Sequence, residues 1–142
     1  TAKGLLGSLP GSRFQEGGLS QALEQADLAI ACSGTVTREC AYHGVPTVVF
    51  YRLSWFTYQL ARKLVQVKYI SMPNIMLNRE VFPEYIQQEA RGEKIAGKVL
   101  EMLQTASMRQ EVRDALAELM VEPATQRGFH QAAKVTLEYL QR

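Results

Sequence analysis

Two short, uninterrupted apolar runs constrain this chain more than any other feature: residues 28–32 (Leu-Ala-Ile-Ala-Cys) and 47–51 (Thr-Val-Val-Phe-Tyr), each bounded by turn residues. Apolar runs of this length without alternation suit parallel strands covered on both faces. The stretch between them reads as a single helix over residues 35–43. Gly44 stands where a helix is commonly closed by a left-handed glycine, and Pro46 prevents the helix from resuming. Strand, helix and strand in so short a span make a βαβ unit, which places the chain in the α/β class with a parallel sheet and flanking helices.

The flanks extend this pattern. Residues 4–9 are a candidate strand running into Leu9-Pro10-Gly11-Ser12-Arg13, and residues 17–25 a short helix opened by Gly17-Gly18 or by Ser20 as N-cap. Phe56, Leu60 and Leu64 stand at helical spacing, and residues 69–71 are a candidate last strand. The span from Arg13 to Asp27 is close to the minimum for a parallel crossover, so the sheet is expected to be small and incompletely covered. From residue 93 onward the signal is helical. Ile95, Val99 and Leu103 form one stripe, Val112, Leu116 and Leu119 a second, and Phe129, Ala132, Ala133, Leu137 and Leu140 a third. This divides the chain into residues 1–92, a sheet domain, and residues 93–142, a helical segment packing on it.

Composition excludes several functions. With 46% hydrophobic and 21% charged residues the chain is an ordinary globular sequence rather than a disordered one. A net charge of +2, from 16 Lys+Arg against 14 Asp+Glu, is too slight for a wholesale nucleic-acid binder. No apolar run reaches the roughly 18–20 residues that cross a bilayer, and no signal-peptide pattern opens the sequence. Cys32 and Cys40 make neither a disulfide framework nor a metal set, which fits a reduced cytoplasm. Cys32 is expected to be buried in its strand, and Cys40 to face the sheet from the helix. His43 reads as a cation near a helix C-terminus.

The segment Cys32-Ser33-Gly34-Thr35-Val36-Thr37-Arg38-Glu39 carries the most chemistry. A strand runs into a small-residue turn that opens a helix, whose first amides are free donors at the positive end of its dipole. Gly34 lets an anion approach the backbone, and Ser33 and Thr35 offer hydroxyls to it. Glu39, one turn inward and about 6 Å along the axis, can accept both hydroxyl protons of a ribose. Together these residues form a clamp for a nucleoside diphosphate; the competing reading is a plain N-cap with Glu39 on a solvated face. Ser12 and Arg13 offer a hydroxyl and a guanidinium fork to phosphate, or else form an ordinary turn. Asn74 is expected on a loop beyond a strand end, because Pro73 biases Met72 toward an extended backbone. Nearby, Arg79 can neutralise phosphate, and Glu80 and Glu84 can hold sugar hydroxyls, unless these charges are solvated or paired among themselves. Trp55, Arg62 and Lys63, flanked by Arg52 and Lys68, make a basic aromatic helix that either lies on an anionic membrane surface or packs its Phe56-Leu60-Leu64 stripe into the core.

In combination these stretches resemble the lipid-A-disaccharide synthase family, glycosyltransferases with two Rossmann-like domains (GT-B type). The resemblance rests on Leu-Pro-Gly-Ser-Arg at 9–13, Ala-Asp-Leu-Ala-Ile-Ala-Cys-Ser-Gly-Thr at 26–35, Glu39 through Gly44-Val45-Pro46, Tyr51-Arg52, the segment 57–64, Tyr-Ile-Ser-Met-Pro-Asn at 69–74, Arg79-Glu80 and Glu84, all in the family's order. It implies that residues 1–92 are the Rossmann-like donor-binding part. The implied reaction transfers 2,3-diacylglucosamine from its UDP-activated form to 2,3-diacylglucosamine 1-phosphate, without metal or cofactor. Ser12, Arg13, Ser33, Gly34, Thr35, Glu39, Asn74, Arg79 and Glu80 would then line the UDP site, and Arg52, Trp55, Arg62 and Lys63 the membrane-facing side. The implied setting is the cytoplasmic face of the bacterial inner membrane, with no nucleic acid and with a homodimer left open.

The chain also departs from the family pattern. The N-terminal domain, where the resemblance places the acceptor site and general base, has no counterpart here, so no catalytic base is assigned and the piece alone is expected to be inactive. Further strands and helices normally stand between Arg13 and Gly17, and Met72 and Asn78 are not the family's usual residues. Two other readings compete: a different UDP-sugar enzyme of the same architecture, and a non-catalytic membrane-surface or partner-binding module retaining the fold.

Overall fold

The computed structural model describes residues 10–12, 15–54 and 68–121. The elements run α1 (Leu19–Glu24), β1 (Ala29–Cys32), α2 (Thr35–Tyr42), β2 (Thr47–Tyr51), α3 (Met72–Leu77), β3 (Glu84–Ile86), a 3₁₀ turn (Gln87–Glu89), α4 (Gly92–Gln104) and α5 (Ala106–Val121). Among the described residues the sheet has three parallel strands in the order β1-β2-β3, with Ala31 opposite Val49 and Phe50 opposite Tyr85.

The βαβ unit forms as its sequence dictates. Gly44 adopts φ 66°, a left-handed backbone that glycine enters without a Cβ clash. Its N–H and that of Val45 donate to Ala41 and Cys40, closing α2 and turning the chain into β2. Thr47, Val48 and Val49 are fully buried at the centre of the sheet. Cys40 is also fully buried, facing this core from α2, and burial pushes its thiol above the ordinary range. The helices beyond residue 92 share the core: Met102 on α4 and Val112 and Leu116 on α5 cluster with Val48, Val49 and Phe82. Arg109 ties these helices together by donating to the carbonyls of Met102 and Leu103 at the end of α4.

Several expectations are corrected. β1 is not covered on both faces: Ile30 is 53% exposed and Cys32 is exposed rather than buried. Residues 69–71 are not a strand; the third strand is Glu84–Ile86, which follows Pro83 in a segment read as a loop. Asn74 lies in a helix, because Pro73 falls in the first turn of α3, where a missing N–H costs nothing. Asn78 closes α3 at φ 50°, a conformation asparagine tolerates. Of the two expected openings of α1 the structure takes Gly18 rather than Ser20, and on α4 the buried position is Met102 while Leu103 is 45% exposed. The candidate strand at 4–9, the basic aromatic helix at 55–65 and the third helical stripe lie outside the described residues.

Candidate functional site

The parallel strands point their carboxyl ends toward one edge, the edge at which open α/β sheets bind ligands. There β1 turns through Ser33 and Gly34 into α2. Gly34 sits at φ 141°, ψ −151°, a region open essentially to glycine alone. A Cβ at Gly34 would meet nothing within 4 Å, so the backbone angle rather than space requires the glycine. No side chain caps this helix. Thr37 instead closes the first turn from inside, its Oγ1 donating to the Gly34 carbonyl at 2.7 Å and its N–H to the same oxygen at 3.1 Å. Gly34, Thr35 and Val36 are exposed, and the first amides of α2, which no helical carbonyl can reach, stand at the positive end of the dipole. Among the described residues no side chain caps the electropositive mouth.

Glu39 is half-buried one turn inward, 3.5 Å from the exposed Arg38 guanidinium. It borders a 590 Å³ cavity between α2, α3 and α5, walled by Tyr42, Met72, Met76 and Leu119. The carboxylate therefore faces a cleft, although that cleft runs along the flank of α2 and its lining does not include Gly34.

The remaining candidates scatter. Ser33 does not hold its hydroxyl ready for an anion: Oγ donates to the Ile70 carbonyl at 3.0 Å. Asn74 is fully buried and its amide is saturated, with Oδ1 accepting from Val81 and Phe82 N–H at 2.8 Å each and Nδ2 donating to the Phe82 carbonyl and to Glu84. It staples α3 to the strand that follows, rather than walling a donor pocket. Glu84 accepts from the N–H groups of Ile70 and Ser71, the Ser71 hydroxyl and Asn74, so it does not offer itself to sugar hydroxyls. Arg79 meets both carboxylate oxygens of Glu118 at 2.7 Å. With Glu80 it borders a separate 450 Å³ groove against α4 and α5, which shares no lining residue with the cavity beside Glu39. Ser12 is exposed after the Pro10–Gly11 turn, and Arg52 is exposed directly after β2. Arg13, Trp55, Arg62 and Lys63 lie outside the described residues.

One residue at the sheet edge escaped the sequence reading. Gln87 follows β3 directly, takes φ 54°, and accepts the Leu53 N–H through Oε1 at 3.2 Å, tying the carboxyl ends of β2 and β3 together. Its residue type gives no hint of a left-handed backbone, and nothing around it in the sequence marks the position. Among the described residues no group of three His, Cys, Asp or Glu could hold a metal ion, and no helix is long and apolar enough to cross a membrane.

Comparison with known proteins places the chain in a family. The family model for lipid-A-disaccharide synthetase matches residues 11–137. Similar proteins include the lipid-A-disaccharide synthases of Solibacter usitatus (34% identical, over 89% of this chain and 33% of the relative), Syntrophus aciditrophicus (36%, over 78% and 29%) and Escherichia coli (34%, over 85% and 31%). The chain thus spans about a third of the length of these relatives. With the family model covering nearly the whole sequence and relatives more than 30% identical along most of it, the chain belongs to the lipid-A-disaccharide synthase family.

Proposed function

We propose that this chain is the donor-nucleotide part of a lipid-A-disaccharide synthase, which transfers 2,3-diacylglucosamine from UDP-2,3-diacylglucosamine to 2,3-diacylglucosamine 1-phosphate and releases UDP. The observation that carries the reading is the solvent-open N-terminus of α2, with Gly34 in a glycine-only backbone and Glu39 one turn behind it. In the transfer, an acceptor hydroxyl attacks the anomeric carbon, the bond from that carbon to the diphosphate oxygen breaks, and UDP leaves with the electron pair. Negative charge grows on the diphosphate as this happens. The Gly34, Thr35 and Val36 amides, already oriented and aided by the helix dipole, stabilise that charge without reorganising. Glu39 sits far enough inward to take the ribose hydroxyls rather than crowd the phosphates. Arg13 and Ser12 belong to the same reading as a second phosphate contact. The proton of the acceptor hydroxyl goes to a base in the part of the enzyme this chain does not represent.

Acylated substrates place the reaction at a membrane surface, which we take to be the cytoplasmic face of the inner membrane. Arg52, exposed at the end of β2, would face it. Calorimetric titration with UDP tests the nucleotide reading. Binding is expected, and Glu39→Ala is expected to weaken it about tenfold, the loss of roughly one good charged hydrogen bond. Absence of heat at millimolar UDP overturns it.

A further inference from the structure

Glu84 lies on β3, with no place in the diphosphate site as drawn above, yet its hydrogen bonds lead there. The peptide unit between Ile70 and Ser71 is the link. Its N–H, from Ser71, donates to Glu84 Oε1 at 2.8 Å, and its carbonyl, from Ile70, accepts the Ser33 hydroxyl at 3.0 Å. In a planar trans peptide the N–H and C=O point in opposite directions. A carboxylate holding one end therefore aims the other. Glu84 Oε2 accepts the preceding Ile70 N–H at 2.9 Å, and Oε1 also takes the Ser71 hydroxyl and Asn74 Nδ2. The bar cannot rotate without breaking these bonds. At its far end stands Ser33, whose own N–H pairs with the Phe50 carbonyl at 3.2 Å and which immediately precedes Gly34. Ser33 is held from the sheet on one side and from this bar on the other, and the first free amide of α2 follows it.

We propose that Glu84 is a positioning residue for the diphosphate site, acting through the Ile70–Ser71 peptide and Ser33. This rests on the donor-nucleotide reading above. The sign of the effect is distinctive. If Glu84 acted on a bound diphosphate only through its charge, neutralising it would relieve repulsion and tighten binding. As a positioning group, its neutralisation loosens binding, because a glutamine must turn an NH₂ toward N–H groups that now donate to it, and the bar loses its grip.

The test measures UDP affinity of the full chain and of Glu84→Gln, Ser33→Ala and the double variant, together with amide hydrogen exchange at Ser33 without nucleotide. Glu84→Gln and Ser33→Ala are each expected to weaken UDP about tenfold, and the double variant no more than the weaker single one, the non-additivity of two groups in one chain of contacts. Exchange at Ser33, whose N–H pairs with the Phe50 carbonyl, rises in Glu84→Gln. If that variant does not fold, Glu84→Asp keeps the charge, draws the carboxylate back by a methylene and carries the same expectations. Unchanged or tighter UDP binding in the Glu84 variants, or fully additive effects, overturns the positioning role while the donor reading stands. Failure of the unaltered chain to bind UDP overturns the donor reading, and the positioning role with it.

Discussion

The mouth of α2 and the junction of α3 with β3 are built from the same kinds of residue, small polar groups and a carboxylate around a helix start, and they differ in what remains unspent. At the junction, Asn74 uses both atoms of its amide and Glu84 accepts four hydrogen bonds. Among the described residues no buried side-chain polar atom lacks a partner. At the mouth, the helix has no side-chain cap and its leading residues are exposed. A saturated polar cluster stabilises the fold and has nothing left for a ligand, whereas an uncapped helix start keeps donors available at some cost in stability. Polar density alone does not mark a site; unspent hydrogen-bonding capacity does.

The contrast is broken most severely at the junction. Asn74→Ala leaves the Val81 and Phe82 N–H groups and the Phe82 carbonyl without partners in the interior, and a loss on the order of 4 kcal/mol is expected in chemical denaturation. A loss under 1 kcal/mol would mean that water replaces the amide and the junction is not closed as described. At the mouth, Gly34→Ala is expected to cost about 1–3 kcal/mol, because alanine must hold a glycine-only backbone although its methyl group meets nothing. If the variant is as stable as the parent, the angle at Gly34 is not required by the fold.

The smallest effect sharpens the comparison through the two thiols. Cys32, exposed at the end of β1, is expected to react rapidly with a thiol reagent at pH 8, and Cys40 only at the rate of unfolding. Burial favours the protonated thiol of Cys40, so its folded value lies above the ordinary 9.0. The stability it contributes is fully present below that pH and is lost as pH rises toward the folded value. The alkaline decline in denaturation midpoint should accordingly be shallower in Cys40→Ala. Equal reactivity of the two thiols would contradict the burial of α2 against the sheet.

What could be read in advance follows the same physical line. The βαβ unit announces itself because continuous apolar runs and a Gly44/Pro46 stop are local signals. β3 does not, since three half-buried residues after a proline, one of them a glutamate, carry no periodicity. The roles of Asn74 and Glu84 depend on partners up to 14 residues away, and the Arg79 pairing on Glu118, 39 residues away. The chain shows that these residues are polar and close in sequence, but whether they face each other or a ligand is settled only by the fold. The α2 mouth was legible because everything it needs lies within eight consecutive positions, from Cys32 to Glu39.

Residue-resolved NMR of the chain during titration with UDP tests the central claim most directly. The Gly34, Thr35 and Val36 amides are expected to shift saturably, with the Asn74 side-chain NH₂ unmoved. Silence at those three amides up to millimolar UDP, or shifts gathered instead around Arg79 and Glu118, would contradict it.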